Sequence, residues 1–339
     1  METMKDSPSP LAGTGRPGCQ YIKLDVTRLV SGANLRLGLH VVTGEKAGPT
    51  LGILTTIHGD ETMALMAVRE LLNSIDVGSL AGRVAAIPVA NPLAVAVFNR
   101  QTPEQHGRTD LHEVFPGAAN GNLTQRMAST ITTNLLDHVD ALVDIHCGGL
   151  GGRIQSRADL DASAPADVYS RSLDLCRAFN APFVHANNLA GTAARYCNER
   201  GVPTANPEIG GVYLGREVED AYIRETVAGL RSIMAVLNMV PTPPRVAKKQ
   251  LLFGVKSRFE VNPSVGGFLR SFCTTPSDLG CRIEKGTKLG EVVDIHSLEV
   301  IEELTASVTG YLFFSRYSGV VDAGTKAFAL AEEATSSWL

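Results

Sequence analysis

Two distant segments of the chain carry side chains that can bind a metal ion. His58 and Glu61 lie three residues apart where a short apolar run ends, and His146 ends a second apolar run much later. Two imidazoles and one carboxylate are the protein ligands of many catalytic zinc sites, in which water takes the fourth position. Asp144 lies two residues before His146, on the same face of a predicted strand, and could accept the imidazole N–H. The sequence therefore predicts one zinc ion per subunit, bound by His58, Glu61 and His146.

A metal-dependent hydrolase also needs a base for the attacking water and a cation for the developing oxyanion. Glu208 comes at the end of a predicted strand and precedes two glycines, and it is the best candidate for the base. Arg100 stands at the start of a long irregular segment and is the best candidate for the cation. Carboxylates and arginines are common on surface loops, so both predictions depend on the metal-binding residues.

The elements that must position these residues follow from hydrophobic periodicity. The pattern predicts strands over 35–42, 50–57, 83–90, 141–145, 182–185 and 204–209, and helices over 61–72, 123–138, 164–179, 190–200 and 218–237. This alternation predicts an α/β fold with a mixed, mostly parallel sheet flanked by helices. Ligands of such sheets bind beyond the carboxyl ends of the strands. His58, His146 and Glu208 should therefore meet at one edge.

Changes in composition predict three regions. Residues 1–20 are rich in Pro, Gly and Ser without an apolar signal core, which predicts a flexible arm. Residues 21–240 would form the zinc hydrolase domain, followed by a Pro-rich and basic linker. Residues 250–335 would form a smaller, all-β, barrel-like domain with strands over 265–272, 288–295, 298–304 and 308–314.

Composition also limits the partners. Among the 339 residues, 44% are hydrophobic and 19% charged, as in a globular protein with a sizeable core. The net charge is −4 without a basic cluster, which argues against nucleic acid, and no apolar stretch is long enough to span a membrane. The six cysteines form no CxxC pair, as is usual in a reducing compartment. We expect a cytoplasmic protein, and the sequence leaves a homo-oligomer open.

Several motifs together resemble the succinylglutamate desuccinylase/aspartoacylase family of the zinc carboxypeptidase clan. They occur in family order over roughly residues 35–240: Ile57-His-Gly-Asp-Glu61, Asn91-Pro-Leu-Ala94, Arg100, Asp110-Leu111, Phe115-Pro-Gly117, Asp144-Ile-His146 and Pro207-Glu-Ile-Gly210. The resemblance implies a zinc carboxypeptidase-like fold and hydrolysis of the amide bond of a small N-acylated amino acid or amine. It implies that His58, Glu61 and His146 bind zinc. Glu208 would be the general base and acid, and Arg100 would polarise the scissile carbonyl.

One loop departs from the family pattern. The family usually reads Asp-Leu-Asn-Arg-x-Phe-Pro-Gly, whose Asn and Arg hold a substrate carboxylate, whereas His112 and Glu113 stand at those two positions here. An acidic side chain would repel a carboxylate, so one hypothesis is that His112 and Glu113 bind a neutral or cationic end of the substrate. The alternative is that both side chains turn outward and Arg108 or Arg126 binds an anion. Asn91 is a further predicted substrate contact.

Two other functions remain open. The first is a metallocarboxypeptidase that acts on short peptides, which the missing Asn-Arg pair disfavours. The second is a non-catalytic binding protein on the same fold, which the intact set of metal ligands and base disfavours. The C-terminal region also resembles the β-domain that these deacylases often carry. A biotinyl or lipoyl carrier would present a lysine on the hairpin at 306–310, which has none, so we expect a lid or an assembly element.

Overall fold

Strands and helices alternate through the first two thirds of the chain. The computed structural model describes residues 9–13, 15–107, 109–246 and 249–339. The strands of this part are β1 (Gly18–Arg28), β2 (Asn34–Thr43), β3 (Lys46–Thr55), β4 (Ala81–Ile87), β5 (Ala141–Cys147), β6 (Gly152–Asp161), β7 (Phe183–Asn187) and β8 (Thr204–Gly210). The helices are α1 (Met63–Asn73), α2 (Pro92–Ala96), α3 (Leu123–Asn134), α4 (Ala166–Phe179), α5 (Ala193–Glu199) and α6 (Arg216–Val236). The α/β prediction is confirmed.

The sheet has the order β1-β2-β4-β3-β5-β8-β6 in this part of the chain. Its centre is parallel, because β3 pairs in parallel with β4 and β5, and β5 pairs in parallel with β8. The strands β1, β2 and β6 add antiparallel pairs at the two sides. Because β3, β5 and β8 run in the same direction, their carboxyl ends lie at one edge, where the sequence places its metal and base candidates.

Helices cover both faces of this sheet. α1, α4 and α6 bury apolar residues such as Leu71, Phe179 and Ile233 against one face. α3 and α5 bury residues such as Ile131 and Cys197 against the other. Full burial of a large aliphatic side chain contributes about 1.5–3 kcal/mol, so these contacts fix the strands that carry the site. None of the helices in the described ranges is both long and apolar enough to cross a bilayer.

Two strands of the first part were not predicted. β1 begins at Gly18, inside the expected flexible arm, and Leu11 is only 2% exposed. The described residues of the arm therefore include packed segments, while residues 1–8 and 14 lie outside the described part. β6 was missed because polar and charged residues interrupt its sequence, although most of its side chains are buried. This second omission matters for the site.

The C-terminal region consists of strands and short 3₁₀ turns. Its strands are β9 (Leu251–Gly254), β10 (Arg258–Val261), β11 (Gly267–Ser271), β12 (Arg282–Ile283), β13 (Lys288–Val293), β14 (Val300–Thr305), β15 (Gly310–Arg316), β16 (Gly319–Val321), β17 (Phe328–Glu332) and β18 (Ser337–Trp338). β14, β13, β11 and β16 form a separate four-stranded sheet. The all-β character of this region was predicted correctly.

The main sheet continues into this region, which the predicted linker does not anticipate. β15 pairs antiparallel with β6, and it also pairs with β17, which pairs with β10. β9 pairs in parallel with β7. Backbone hydrogen bonds thus hold the C-terminal strands beside the strands that carry the site. The limits of the two domains stay a prediction.

Candidate active site

Three residues, which we call the metal triad, converge at the carboxyl edge of the sheet. His58 and Glu61 lie in the segment between β3 and α1, and His146 lies near the end of β5, the neighbour of β3. Their exposed fractions are 2%, 6% and 4%. Gly59 lets this segment pass close to α2, since a Cβ there would lie 2.1 Å from the carbonyl carbon of Ala94. The structure therefore brings the three predicted ligands together.

The Glu61 carboxylate lies between the two imidazoles. Its Oε1 is 2.8 Å from Nδ1 of His58, and its Oε2 is 3.1 Å from Nδ1 of His146. The backbone N–H of Cys147 donates to Oε2 at 3.0 Å. One ligand atom from each triad residue lies within 4.8 Å of the others. Two nitrogens and a carboxylate converging at this spacing fit a zinc ion.

The electrostatics of the triad follow from its burial and its charges. Burial by itself lowers the pKa of His58, but the Glu61 and Asp110 carboxylates raise it above its ordinary value. Burial also lowers the pKa of His146, but the Asp144 and Glu61 carboxylates outweigh this effect and raise the pKa well above its usual range. Burial raises the pKa of Glu61, and the two imidazoles lower it well below its ordinary value. Without a metal, these contacts therefore favour the charged form of Glu61 and the protonated form of both imidazoles.

Further carboxylates lie next to the outer nitrogens of both imidazoles. Nε2 of His146 is 3.4 Å from Oδ2 of Asp144, which is fully buried. Nε2 of His58 is 3.1 Å from Oδ1 of Asp110. Asp144 therefore lies beside His146, but no hydrogen bond joins the two side chains, and its role stays a prediction. Asp110 was recognised only as part of a motif, and its contact with His58 was not predicted.

Arg100 lies at the rim of the triad. Its Nε donates to Oδ2 of Asp110 at 3.1 Å, and its Nη1 is 3.4 Å from Oε1 of Glu61. Its side chain is 50% exposed, so the guanidinium also faces the surroundings of the site. The predicted cation is thus held next to the metal triad.

Glu208 lies beside the triad on the next strand. It is the register partner of His146 between β5 and β8, and its side chain is 21% exposed. Its Oε1 accepts a hydrogen bond from Nη2 of Arg157 at 3.2 Å. Its buried Oε2 has no hydrogen-bond partner within the described part of the chain. Burial raises the pKa of Glu208 even though Arg157 and His146 favour the charged form.

Sequence reasoning missed the charged cluster behind Glu208. Arg157 and Asp159 of β6 are 5% and 3% exposed, and Nε of Arg157 donates to Oδ1 of Asp159 at 2.7 Å. His185 of β7 lies with its Nδ1 3.1 Å from Oδ2 of Asp159. Burial raises the pKa of Asp159, but Arg157 and His185 lower it well below its usual range. The alternation of charged and apolar residues in Arg157-Ala-Asp159-Leu was the one available signal of a buried polar strand face.

The predicted substrate loop separates its two unusual residues. The His112 ring lies in the site, with its centroid 4.6 Å from that of His146 and 5.5 Å from that of His58. Burial, aided by the charge of His146, lowers the pKa of His112 to about 3, so its imidazole is neutral. The Glu113 side chain is exposed. His112 thus lies in the site, as the first hypothesis expects, whereas Glu113 is exposed, as the alternative expects.

The other predicted substrate contacts lie elsewhere. Asn91 is fully buried, accepts a hydrogen bond from the backbone of Ala94 at 3.1 Å and donates to Thr102 at 3.0 Å. Its amide thus supports the turn into α2 rather than facing a substrate. Nε of Arg126 donates to the carbonyl of Gly121 at 2.7 Å. Arg108 lies outside the described residues.

Comparisons with known proteins agree with this geometry. The model of the succinylglutamate desuccinylase/aspartoacylase catalytic domain matches residues 47–237. A curated protein of Halomonas elongata, N-alpha-acetyl-L-2,4-diaminobutyric acid deacetylase, is 28% identical over 181 residues. This match covers 52% of the present chain and 52% of that relative, so it spans about half of the length of each.

Solved structures share the fold over nearly the whole chain. A succinylglutamate desuccinylase from Silicibacter sp. TM1040 has a TM-score of 0.83 at 22% identity, covering 97% of this chain and 100% of the other. The product-bound ectoine utilization protein EutE (DoeB) from Ruegeria pomeroyi has a TM-score of 0.82 at 22% identity. The match covers 94% of this chain and 97% of the other. At this identity the likeness establishes the fold alone.

Proposed function

Because this chain belongs to the succinylglutamate desuccinylase/aspartoacylase family, we propose that it is a zinc-dependent hydrolase of the amide bond in a small N-acylated amino acid or amine. One observation carries the proposal. The metal triad converges within 4.8 Å, and Glu208 lies next to His146 on the neighbouring strand with one unpartnered carboxylate oxygen among the described residues. A metal site with an adjacent base is what metal-assisted hydrolysis requires.

His58, Glu61 and His146 would hold one zinc ion per subunit. Bound there, zinc would supply a Lewis acid that polarises a carbonyl and makes a water molecule more acidic. The carboxylates of Asp110 and Asp144 would keep both imidazoles oriented with Nδ1 toward the centre of the triad. This set of ligands would leave room for a water molecule and a substrate oxygen.

Glu208 would move the protons of the reaction. Its raised pKa suits a group that takes a proton from the attacking water and then gives it to the leaving amine. Arg157 holds Oε1, so that Oε2 is left for the reactants. Arg100, half-exposed and anchored by Asp110, would stabilise the negative charge that develops on the carbonyl oxygen.

The substrate would carry a neutral or cationic group near Glu113 and His112. Glu113 is acidic and exposed, whereas His112 is neutral and lies against the triad. The relative from Halomonas elongata is named for a diaminobutyric acid derivative, and such a molecule carries an amino group at the end of its side chain. An N-acylated diamino acid is therefore the substrate class that we favour. The cytoplasmic location and the oligomeric state stay predictions.

A metal analysis combined with a hydrolysis screen tests this function. The protein loaded with zinc would be assayed on a pool of N-acetyl amino acids, N-acetyl diamino acids, N-acetyl amines and short peptides. We expect about one zinc per chain and release of the acyl group, with activity lowered by about 10²–10⁴-fold in Glu208→Gln. Glu217→Gln, which changes an exposed carboxylate, serves as the control and should keep full activity.

The outcomes separate the competing functions. Well-folded protein that binds no zinc would support the non-catalytic binding protein. Turnover restricted to peptides would support the carboxypeptidase. Activity that survives Glu208→Gln would contradict the role of the base.

A further inference from the structure

A lysine of the C-terminal region packs over an aromatic ring of β15, the strand that joins this region to the sheet of the candidate active site. Lys326 is in the segment between β16 and β17 and is partly buried. Its Nζ lies 4.4 Å from the centre of the Phe314 ring. Among the described residues, this ammonium makes neither an ion pair nor a hydrogen bond. A cation removed from water in this way is unfavourable unless a ligand supplies the counter-charge.

The two neighbouring arginines do have partners. Nε of Arg157 donates to Oδ1 of Asp159 at 2.7 Å, and Nη2 of Arg258 lies 2.6 Å from Oε1 of Glu260. Both guanidinium groups pack near the ring of Phe313, at 5.3 and 5.8 Å from its centre. Asp159 and Glu260 are thus already engaged in ion pairs, and an anion that enters here would meet the ammonium of Lys326.

The ring beneath Lys326 belongs to a strand that continues the sheet of the active site. Phe314 of β15 is the register partner of Ile154 on β6, which lies three residues before Arg157. The charges of Arg157 and Glu208 act on the Lys326 ammonium. The lysine and the candidate base therefore share one electrostatic environment, although they come from different regions of the chain.

The backbone around Lys326 is held in place. Its carbonyl accepts a hydrogen bond from Nε of Arg316 at 2.7 Å. The next residue, Ala327, donates its N–H to the carbonyl of Val261 at 3.0 Å and accepts from the backbone of Arg316 at 2.8 Å. A side chain on such a rigid segment can bind a ligand without first paying the ordering entropy of a loop.

Lys326 also remains a cation under ordinary conditions. Burial lowers its pKa to about 8, and the nearby arginines act in the same direction. At neutral pH most of the molecules therefore keep the ammonium, which donates up to three hydrogen bonds and has no acceptor function. Carboxylate is the group that matches it in charge and in hydrogen bonding.

We propose that Lys326 is the anion receptor of the active site and binds a carboxylate of the substrate. The proposal rests on the proposed function for the identity of the substrate. It explains how an N-acyl amino acid is held when Glu113 occupies the loop position that would repel a carboxylate. Glu113 and Lys326 would thus bind opposite charges of one zwitterionic substrate. The carboxylate belongs either to the amino-acid half or to the acyl half.

Three matched substrates distinguish these sources. An N-acetyl-L-amino acid carries its carboxylate on the amine half, its carboxamide analogue carries none, and an N-succinyl amine carries it on the acyl half. For zinc-loaded Lys326→Gln we expect KM to rise about 10–100-fold for one of the two carboxylates, with little change in kcat. The carboxamide should show no such rise. Lys326→Arg should restore part of the affinity, and Lys285→Gln, which changes an exposed lysine, should match the wild type.

An unchanged ratio of KM between carboxylate and carboxamide in Lys326→Gln would overturn the proposal. A second measurement keeps it separate from the proposed function. Succinate would be titrated calorimetrically into the wild type, Lys326→Gln and Lys326→Met. If no substrate is hydrolysed but succinate binding depends on Lys326, the receptor stands and the proposed function fails. If hydrolysis depends on Glu208 while both Lys326 readouts stay unchanged, the receptor fails and the function stands.

Discussion

Arg157 and Glu208 are register partners on the antiparallel strands β6 and β8, with Nη2 of the arginine 3.2 Å from Oε1 of the glutamate. On the other side of Glu208, the parallel strand β5 places His146 as its register partner. Glu208 is therefore flanked by a buried guanidinium and by His146, a proposed metal ligand. Because Arg157 is shared with Asp159, its charge only partly offsets the effect of burial on Glu208. The pKa of this carboxyl group stays raised as a result.

Replacing Arg157 should change the pH dependence of hydrolysis. In Arg157→Met, the pKa of Glu208 would rise further because the cation that favours its charged form is gone. The base must be ionised to act, so the acidic limb of the kcat/KM profile should move to higher pH. A pH–rate profile of both proteins measures this shift.

A control separates this effect from loss of structure. Arg157→Met also leaves Asp159 buried without its main partner, which can cost about 3–5 kcal/mol of stability. Asp159→Asn breaks the same pair but keeps the arginine beside Glu208, so it should lose stability without moving the acidic limb upward. Equal pH profiles for Arg157→Met and the wild type would contradict a positioning role for Arg157.

Zinc binding should release protons and weaken in acid. The neighbouring carboxylates raise the pKa values of His58 and His146 above their ordinary values and so favour the protonated form of both imidazoles in the metal-free protein. A metal ion binds the neutral form, and affinity should therefore fall as the pH decreases. Calorimetry in buffers of different ionisation enthalpy counts the protons that are released.

Substitutions test where this proton release comes from. His146→Ala should abolish both the binding and the release, whereas His296→Ala, which changes an exposed histidine of the C-terminal region, should leave both unchanged. Zinc binding without proton release at any pH tested would contradict the raised pKa values of the two imidazoles.

Much of the site geometry follows from sequence, because both predicted histidine ligands and the predicted base stand at the ends of apolar runs. Runs of this kind form the parallel strands β3, β5 and β8, and parallel neighbours end at the same edge of a sheet. The edge therefore gathers His58, His146 and Glu208 without further information. The turn between β3 and α1 then adds Glu61, three residues after His58.

The polar surroundings of the site could not be predicted in the same way. Arg157 and Asp159 lie on a strand whose sequence looks exposed. In the fold, β7 and β8 pair with this strand on its two sides, and the Phe313 ring of the C-terminal strand β15 packs near Arg157. Lys326 lies just before β17, which pairs with β15 and so belongs to the continuation of the sheet beyond β6. Pairing between distant strands is a tertiary property, so periodicity along one segment does not reveal it.

The charge of Glu113 should set substrate preference. In Glu113→Arg, an exposed cation replaces the carboxylate, which should favour acidic N-acyl amino acids over N-acyl diamino acids. The ratio of kcat/KM for these two substrate classes would move by about tenfold or more, corresponding to roughly 1.4 kcal/mol. Glu113→Gln removes the charge without reversing it and should give an intermediate ratio. A ratio that stays the same in both variants would show that this residue does not contact the substrate.

The stability of the protein should reveal the energetic cost of Lys326. Its pKa in the folded protein is about 8, below the usual value for lysine, so the unfolded chain binds more protons between about pH 8 and pH 10.4. Stability of the wild type should therefore rise with pH across this window. Lys326→Met has no such group, and it should be more stable by about 2–3 kcal/mol below pH 8, with a difference that disappears toward pH 10. Denaturant titrations at several pH values give this comparison, with Lys285→Met as the exposed control. A constant difference across the window would mean that the buried ammonium carries no unfavourable energy, and the argument for a missing counter-charge would lose its basis.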